Sequence, residues 1–203
     1  MKIICIGRNY LNHATELGNS IPDEPLFFLK PETAIQPKGH PFFIPDFSKN
    51  IHYEVELVLK INKTGKHIEE RFAHKYYSQI GLGIDFTARD VQDKCKTKGL
   101  PWEKAKGFDG SAQISRTFID KSKLELSNIK FSLLKNNAEV QKGNSKNMLF
   151  NFKQIIAHLS KVYTLKIGDL IYTGTPAGVG SVKAGDILKG FIGEQEMFKV
   201  VVK

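Results

Sequence analysis

Cysteine is scarce in this chain, with only Cys5 and Cys95 among 203 residues. The two stand in unrelated contexts without a second pair at metal-type spacing, so neither a disulfide framework nor a zinc site is expected, and both read as ordinary thiols. Long apolar runs are missing too. No stretch of about 18 apolar residues exists to span a membrane. Met1-Lys2-Ile3-Ile4-Cys5-Ile6 is cut short as a signal segment by Gly7-Arg8-Asn9. The expected setting is therefore the cytoplasm, with no membrane partner. Arginine is the third scarcity: Arg8, Arg71, Arg89 and Arg116 stand among 30 basic residues, so the net charge of +9 is carried by lysine. Those lysines are scattered without a dense basic block or interleaved aromatics, and bidentate phosphate or base recognition favours arginine. No nucleic-acid partner is expected. A positive field of this kind suits small polyanionic substrates instead. Repeats, low-complexity tracts and linkers are also lacking, so residues 1–203 read as a single domain, and 41% hydrophobic content is enough for a substantial core.

What is present is acidic and oddly placed. Glu54 and Glu56 lie inside the apolar run Tyr53-Glu54-Val55-Glu56-Leu57-Val58-Leu59. Side chains alternate across a strand, so Tyr53, Val55, Leu57 and Leu59 share a buried face while the two glutamates project together from the other. A third acid, Asp85, closes a second strand-like run, Ile80-Gly-Leu-Gly-Ile-Asp85, where it could meet the first two. At an effective dielectric near 20 and about 5 Å separation, each like-charge pair costs roughly 3 kcal/mol, and three pairs cost on the order of 10 kcal/mol. That rivals the stability of a whole domain. Converging carboxylates therefore call for a hard cation such as Mg²⁺, bound by oxygen ligands. Taken alone, Glu-x-Glu also reads as the solvated face of a half-buried strand.

Short strands dominate the rest: Ile3 to Ile6, Leu26 to Leu29, Leu170 to Thr173, Ile187 to Ile192 and Met197 to Val202. Pro31 to Pro45 reads as loop or edge structure. A short helical stretch is expected from Leu11 to Leu17, stopped by Gly18-Asn19. Ile68, Phe72 and Tyr76 recur at intervals of four and predict an amphipathic helix. Thr87 and Asp90 predict a capping box opening a helix from about Ala88 to Lys98, stopped at Gly99. A hairpin is expected at Asn136-Asn137, followed by a helix with Phe152, Ile155, Ile156, Leu159 and Tyr163 on one face. The fold class is α+β with a mainly antiparallel or mixed sheet.

Other residues have chemical readings beside plain ones. His13 and Glu16 are three apart in the first helix and could form a general acid/base pair, although a lone His-x-x-Glu is also an ordinary surface pair. Lys106 could face the metal, whereas a lysine ordinarily faces solvent. Thr173-Gly174-Thr175-Pro176-Ala177-Gly178-Val179-Gly180 follows a strand and could bring backbone N–H groups to an anion, or simply turn the chain. It lacks the Gly-Lys-Ser/Thr ending of a Walker loop. His40, His52, His67, His74 and His158 lack metal-type spacing and read as structural or exposed.

Taken in order, Gly7-Arg8-Asn9-Tyr10 with His13-x-x-Glu16, Phe28-Leu29-Lys30-Pro31, Glu54-x-Glu56, Asp85-Phe-Thr-Ala-Arg89-Asp90, Lys106-x-Phe108 and Thr173-Gly-Thr-Pro-x-Gly-Val-Gly180 resemble the fumarylacetoacetate hydrolase superfamily from end to end. Arg89-Asp90-Val91-Gln92-Asp93-Lys94-Cys95-Lys96 and Lys98-Gly99-Leu100-Pro101-Trp102 are similar to its compact acylpyruvase/oxaloacetate decarboxylase branch. The resemblance implies a β-rich α+β fold, a mixed β-sandwich or roll with a few short helices, assembled as a homodimer. It implies Mg²⁺, with Mn²⁺ as the alternative, held by Glu54, Glu56 and Asp85. Lys106 is placed on the substrate side of the metal, and His13 and Glu16 on a lid that carries the acid/base pair. Arg8, Arg89, Gln92 and Thr175 become substrate contacts. The likeness starts almost at the first residue, so the substrate of the longer fumarylacetoacetases is not expected. Asp109 departs from the mitochondrial acylpyruvase-like pattern, which leaves substrate preference open.

The implied activity is metal-dependent chemistry on a small 2-oxo acid. The C–C bond of an acylpyruvate such as acetylpyruvate or fumarylpyruvate is hydrolysed, and/or oxaloacetate is decarboxylated, through a metal-stabilised pyruvate enolate. The alternative is an isomerase or tautomerase of 2-oxo or 2-hydroxy-enoic diacids at the same site. A non-catalytic module on this fold would be expected to have lost the metal acids or Lys106, and all are present.

Overall fold

The computed structural model describes residues 1–12 and 21–203. His13, Glu16 and most of the first expected helix thus lie outside the described residues.

The largest sheet runs β2 (Leu26–Lys30), β1 (Ile3–Gly7), β11 (Leu170–Tyr172), β4 (Val55–Ile61), β5 (Tyr77–Asp85) and β7 (Ala112–Ile114), with β8 (Ile119–Asp120) also on β5. Its neighbours pair antiparallel except β1 and β11, which run parallel with Ile3 opposite Leu170. A four-stranded antiparallel sheet has the order β10 (Ala138–Asn144), β9 (Lys130–Lys135), β13 (Ile187–Ile192), β14 (Gln195–Val201). A small third sheet joins β12 (Gly180–Ser181), β3 (Ile51–Tyr53) and β6 (Thr87–Ala88). The α+β, β-rich expectation holds.

Both faces of the large sheet are covered. Ile4, Leu57, Leu59, Leu82 and Ile84 share one apolar core with Phe131, Leu133, Leu188, Phe198 and Val200 of the four-stranded sheet. Ile3, Cys5, Val58 and Tyr172 point the other way and meet Phe28, Ile35 and Phe118. Each such side chain contributes about 1.5–3 kcal/mol on full burial. Tyr53, Val55, Leu57 and Leu59 do share a buried face, as alternation predicts. The opposite face is buried as well, with Glu54 at 5% and Glu56 at 1% exposure, which removes the solvated-face reading. Gly83, paired with Glu56, makes room for this second layer: a Cβ there would lie 2.6 Å from the Tyr172 ring.

The helices follow local rules only in part. In α3 (Phe152–Val162), Asn151 and Gln154 form a capping box, and Phe152, Ile155, Ile156 and Leu159 are buried as expected. In α1 (Arg89–Lys98), Gly99 ends the helix in the left-handed region at φ 62°. The box expected at its start does not form. Thr87 turns inward to Lys106, 2.6 Å from its Nζ, and Asp90 accepts instead from Ser48 Oγ at 2.6 Å. Ile68, Phe72 and Tyr76 do not lie on an α-helix either, because Glu70–Lys75 is a 3₁₀ turn. Three residues per turn cannot keep a spacing of four on one face, and Phe72 is left exposed beside Arg71 and Lys75. The Asn136-Asn137 hairpin is present, both residues having positive φ.

Candidate metal centre

Three neighbouring segments bring the acids together. Glu54 occupies the break between β3 and β4, Glu56 is the second residue of β4, and Asp85 ends β5. The Asp85 backbone N–H donates to the Glu54 carbonyl at 2.9 Å, which fixes the two strand ends against each other. One oxygen from each of the three carboxylates lies within 4.8 Å of the others.

The chain supplies its own cations to this cluster. Lys106, at the end of α2 (Glu103–Lys106), is buried rather than solvated. Its Nζ donates to Glu54 Oε2 at 2.8 Å, Asp85 Oδ2 at 2.7 Å and Thr87 Oγ1 at 2.6 Å. Arg89, the first residue of α1, pairs with Glu54 Oε1 and donates to Gln92 Oε1 at 2.5 Å. Lys30, fully enclosed at the end of β2, sits 2.8 Å from Asp85 Oδ1 and bonds Ser111 Oγ and the Lys106 carbonyl. Burial pulls the Lys106 ammonium down, but Asp85 and Glu54 outweigh it and hold its pKa above the usual lysine value.

Glu56 is treated differently. The Gly174 backbone N–H donates to its Oε2 at 2.6 Å, and among the described residues Glu56 forms no ion pair. Burial, then Asp85 and Glu54, push its carboxyl well above the usual range. Gly174 is required there: its φ is +99°, and a Cβ would fall 2.7 Å from Asn9 Cβ. Asn9 in turn ties the first turn of the chain to the loop after β11, donating to the Thr173 carbonyl at 2.8 Å and the Phe150 carbonyl at 3.0 Å. The glycine-rich loop thus offers an N–H to the protein's own Glu56 carboxyl.

These features fit a divalent cation. The donor set is all oxygen. Glu56 lacks a counter-charge, and Asp85 Oδ1 faces Lys30 without an aligned hydrogen bond, leaving lone-pair capacity. The pocket over the acids is walled by Arg8, Phe28, Arg89, Gln92, Trp102 and Thr175, so each described site residue expected from the sequence reaches it. Arg8 has a positive φ of 57°, uncommon for a side-chain-bearing residue. Lys30, Thr87 and Lys96 were not singled out as site residues by the sequence reading. A lysine closing the apolar run Leu26 to Leu29 was the available signal for Lys30. The five histidines at 40, 52, 67, 74 and 158 are exposed or half-buried and do not join the acids.

The chain matches the fumarylacetoacetate (FAA) hydrolase C-terminal family over residues 2–197. A mitochondrial oxaloacetate tautomerase of Bos taurus is 44% identical over 191 residues, covering 94% of this chain and 86% of the relative. A mitochondrial oxaloacetate decarboxylase of Dictyostelium discoideum is 45% identical over 190 residues, covering 93% and 87%. The crystal structure of fumarylpyruvate hydrolase from Pseudomonas aeruginosa in complex with Mn²⁺ and pyruvate superposes with a TM-score of 0.92 at 34% identity, covering 100% of this chain and 89% of that one. No described helix is long and apolar enough to cross a membrane.

Proposed function

Because the chain belongs to the fumarylacetoacetate (FAA) hydrolase family, we propose that it is a Mg²⁺-dependent enzyme of 2-oxo acids, with Mn²⁺ as the alternative ion. It decarboxylates oxaloacetate and hydrolyses the C–C bond of acylpyruvates by way of a pyruvate enolate. Glu54, Glu56 and Asp85 hold the ion, which when bound supplies Lewis-acid polarisation of the 2-oxo group. The observation that carries the reading is the Lys106 ammonium, lodged between two of those acids at the floor of a pocket walled by Arg8, Arg89, Gln92 and Thr175.

Each residue then has a task. Lys106 keeps Glu54 and Asp85 in register, and its one neutral partner is Thr87. A developing oxyanion competes for that N–H with a hydroxyl, not a carboxylate, and gains a charge-assisted bond. Arg89 is anchored by Glu54 and Gln92 but among the described residues keeps a buried Nε without a partner, available to a substrate oxygen. Loss of carbon dioxide from oxaloacetate breaks the C–C bond, leaves its electron pair in the enolate and needs a proton only afterwards. Acylpyruvate hydrolysis needs more: His13 and Glu16 activate the water that attacks the distal carbonyl. A second reading, favoured by the name of the Bos taurus relative, keeps the enolate and returns the proton without cleavage, giving keto–enol exchange of oxaloacetate.

The test uses EDTA-stripped protein with and without added Mg²⁺, given oxaloacetate and acetylpyruvate, following enol absorbance and pyruvate together. Metal-dependent pyruvate release from both supports the proposal. Enol decay without pyruvate moves the assignment to tautomerisation, and neither change, from folded protein, overturns both. The same reading takes residues 1–203 as a single catalytic domain working as a cytoplasmic homodimer. A fully active monomer in light scattering removes the dimer from it.

A further inference from the structure

Arg89, Gln92 and Lys96 occupy the first, fourth and eighth positions of α1, so one stripe of the helix faces the pocket. Arg89 is tied to Glu54, and Gln92 to Arg89. Lys96 is not so tied. It is half-buried on the pocket wall, with its Nζ 6.0 Å from the centre of the Trp102 ring, and no acidic residue forms an ion pair with it among the described residues. Burial first, then the charges of Arg89 and Arg8, lower its pKa against the opposing pull of Asp93 and Glu54.

The charges of the pocket sharpen this. Lys30, Arg89 and Lys106 equal the three acids in number and pair with Glu54 and Asp85, while Glu56 stays outside these pairs. Among the described residues Arg8 and Lys96, on the same wall, form no ion pair, and any divalent ion adds to the positive charge there. A second substrate carboxylate offsets more of that charge than one alone.

We propose that Lys96, supported by Arg8, forms the subsite for the distal carboxylate of a 2-oxo diacid, so that the pocket prefers oxaloacetate-type diacids to monoanionic acylpyruvates such as acetylpyruvate. This rests on the 2-oxo acid reading above and adds its substrate class. Trp102 beside the ammonium limits its hydration, and a partly desolvated cation gains more from an arriving carboxylate than an exposed one does.

The test begins with two unreactive ligands that differ in the distal carboxylate, malate and lactate, titrated calorimetrically into Mg²⁺-loaded and EDTA-treated protein. Wild type should prefer malate by about tenfold, and Lys96→Gln should lose most of that preference with lactate binding unchanged. Lys96→Arg should retain it. In turnover, Lys96→Gln should raise KM for oxaloacetate and leave acetylpyruvate alone. Equal weakening of both ligands in Lys96→Gln, or an undiminished malate preference, overturns the assignment. The thermal melt of the variant checks that it is folded. A wild type that prefers malate yet turns over neither substrate leaves the subsite standing and sinks the enzymatic reading instead.

Discussion

The β4–β5 and β13–β14 pairs are both antiparallel ladders with a register shift along their length, yet they bury charge in opposite ways. In β13 the alternation is plain: Leu188, Gly190 and Ile192 point to the core while Lys189 stays half-exposed on the other side. In β4 the outward face is covered as well, so the acids that alternate onto it enter a second buried layer. Lys30, Arg89 and Lys106 accompany them there. One ladder combines its backbone hydrogen bonds with apolar burial. The other also holds a charge cluster whose members stabilise one another only as a set, and it is there that the candidate chemistry lies.

The sharpest way to break this contrast is Glu56→Ala, which should abolish both decarboxylation and acylpyruvate hydrolysis in a pyruvate-release assay while the fold persists. Next, Glu16→Ala or His13→Ala should cut acylpyruvate hydrolysis by about 10²–10⁴-fold and decarboxylation far less. Equal loss of both would sink the shared enolate. Third, Lys106→Met leaves Glu54 and Asp85 short of a buried counter-charge and should cost the metal-free protein about 3–5 kcal/mol in denaturant melts, partly recovered by added Mg²⁺. Leu188→Ala in the apolar ladder should cost about 2–5 kcal/mol with no recovery and unchanged kcat/KM. Recovery by metal in both, or in neither, would erase the distinction between the two ladders.

The smallest effect concerns Asp90. Burial raises its carboxyl, but the Ser48 hydroxyl and the Lys49 and Val91 N–H groups together outweigh this and hold it below the usual aspartate value. A depressed acid stabilises the fold above its ordinary pKa and loses that contribution as pH falls through the depressed one. Asp90→Asn should therefore destabilise at neutral pH by less than about 1 kcal/mol, since solvent screens the group, and match wild type in acid. A difference that grows on acidification would reverse the sign.

Much of this was legible in the sequence where one local rule acted alone. The Asn136-Asn137 turn, the apolar stripe of α3 and the alternation of β4 each follow from backbone geometry that nearby residues determine. Legibility failed where distant segments competed for the same side chain. Thr87 and Asp90 have the right spacing for a capping box, but Lys106 and Ser48 claim them. Lys30 was visible in the motif Phe28-Leu29-Lys30-Pro31 but not as a site residue, since the oxygens that surround it belong to Phe86, Lys106 and Ser111. The burial of both faces of β4 was equally hidden, because the layer over Glu56 depends on Tyr172 and Gly83.

The place of β11 between β1 and β4 has a consequence in time. A ribosome makes both acid-bearing strands and Lys106 long before it reaches Leu170. Until β11 emerges, β1 has no partner on its inner edge, β4 has none on the side away from β5, and Glu56 has no Gly174 to donate to it. The nascent chain therefore carries two open strand edges and an unfinished acidic pocket until late in its synthesis, and a three-residue strand closes both together.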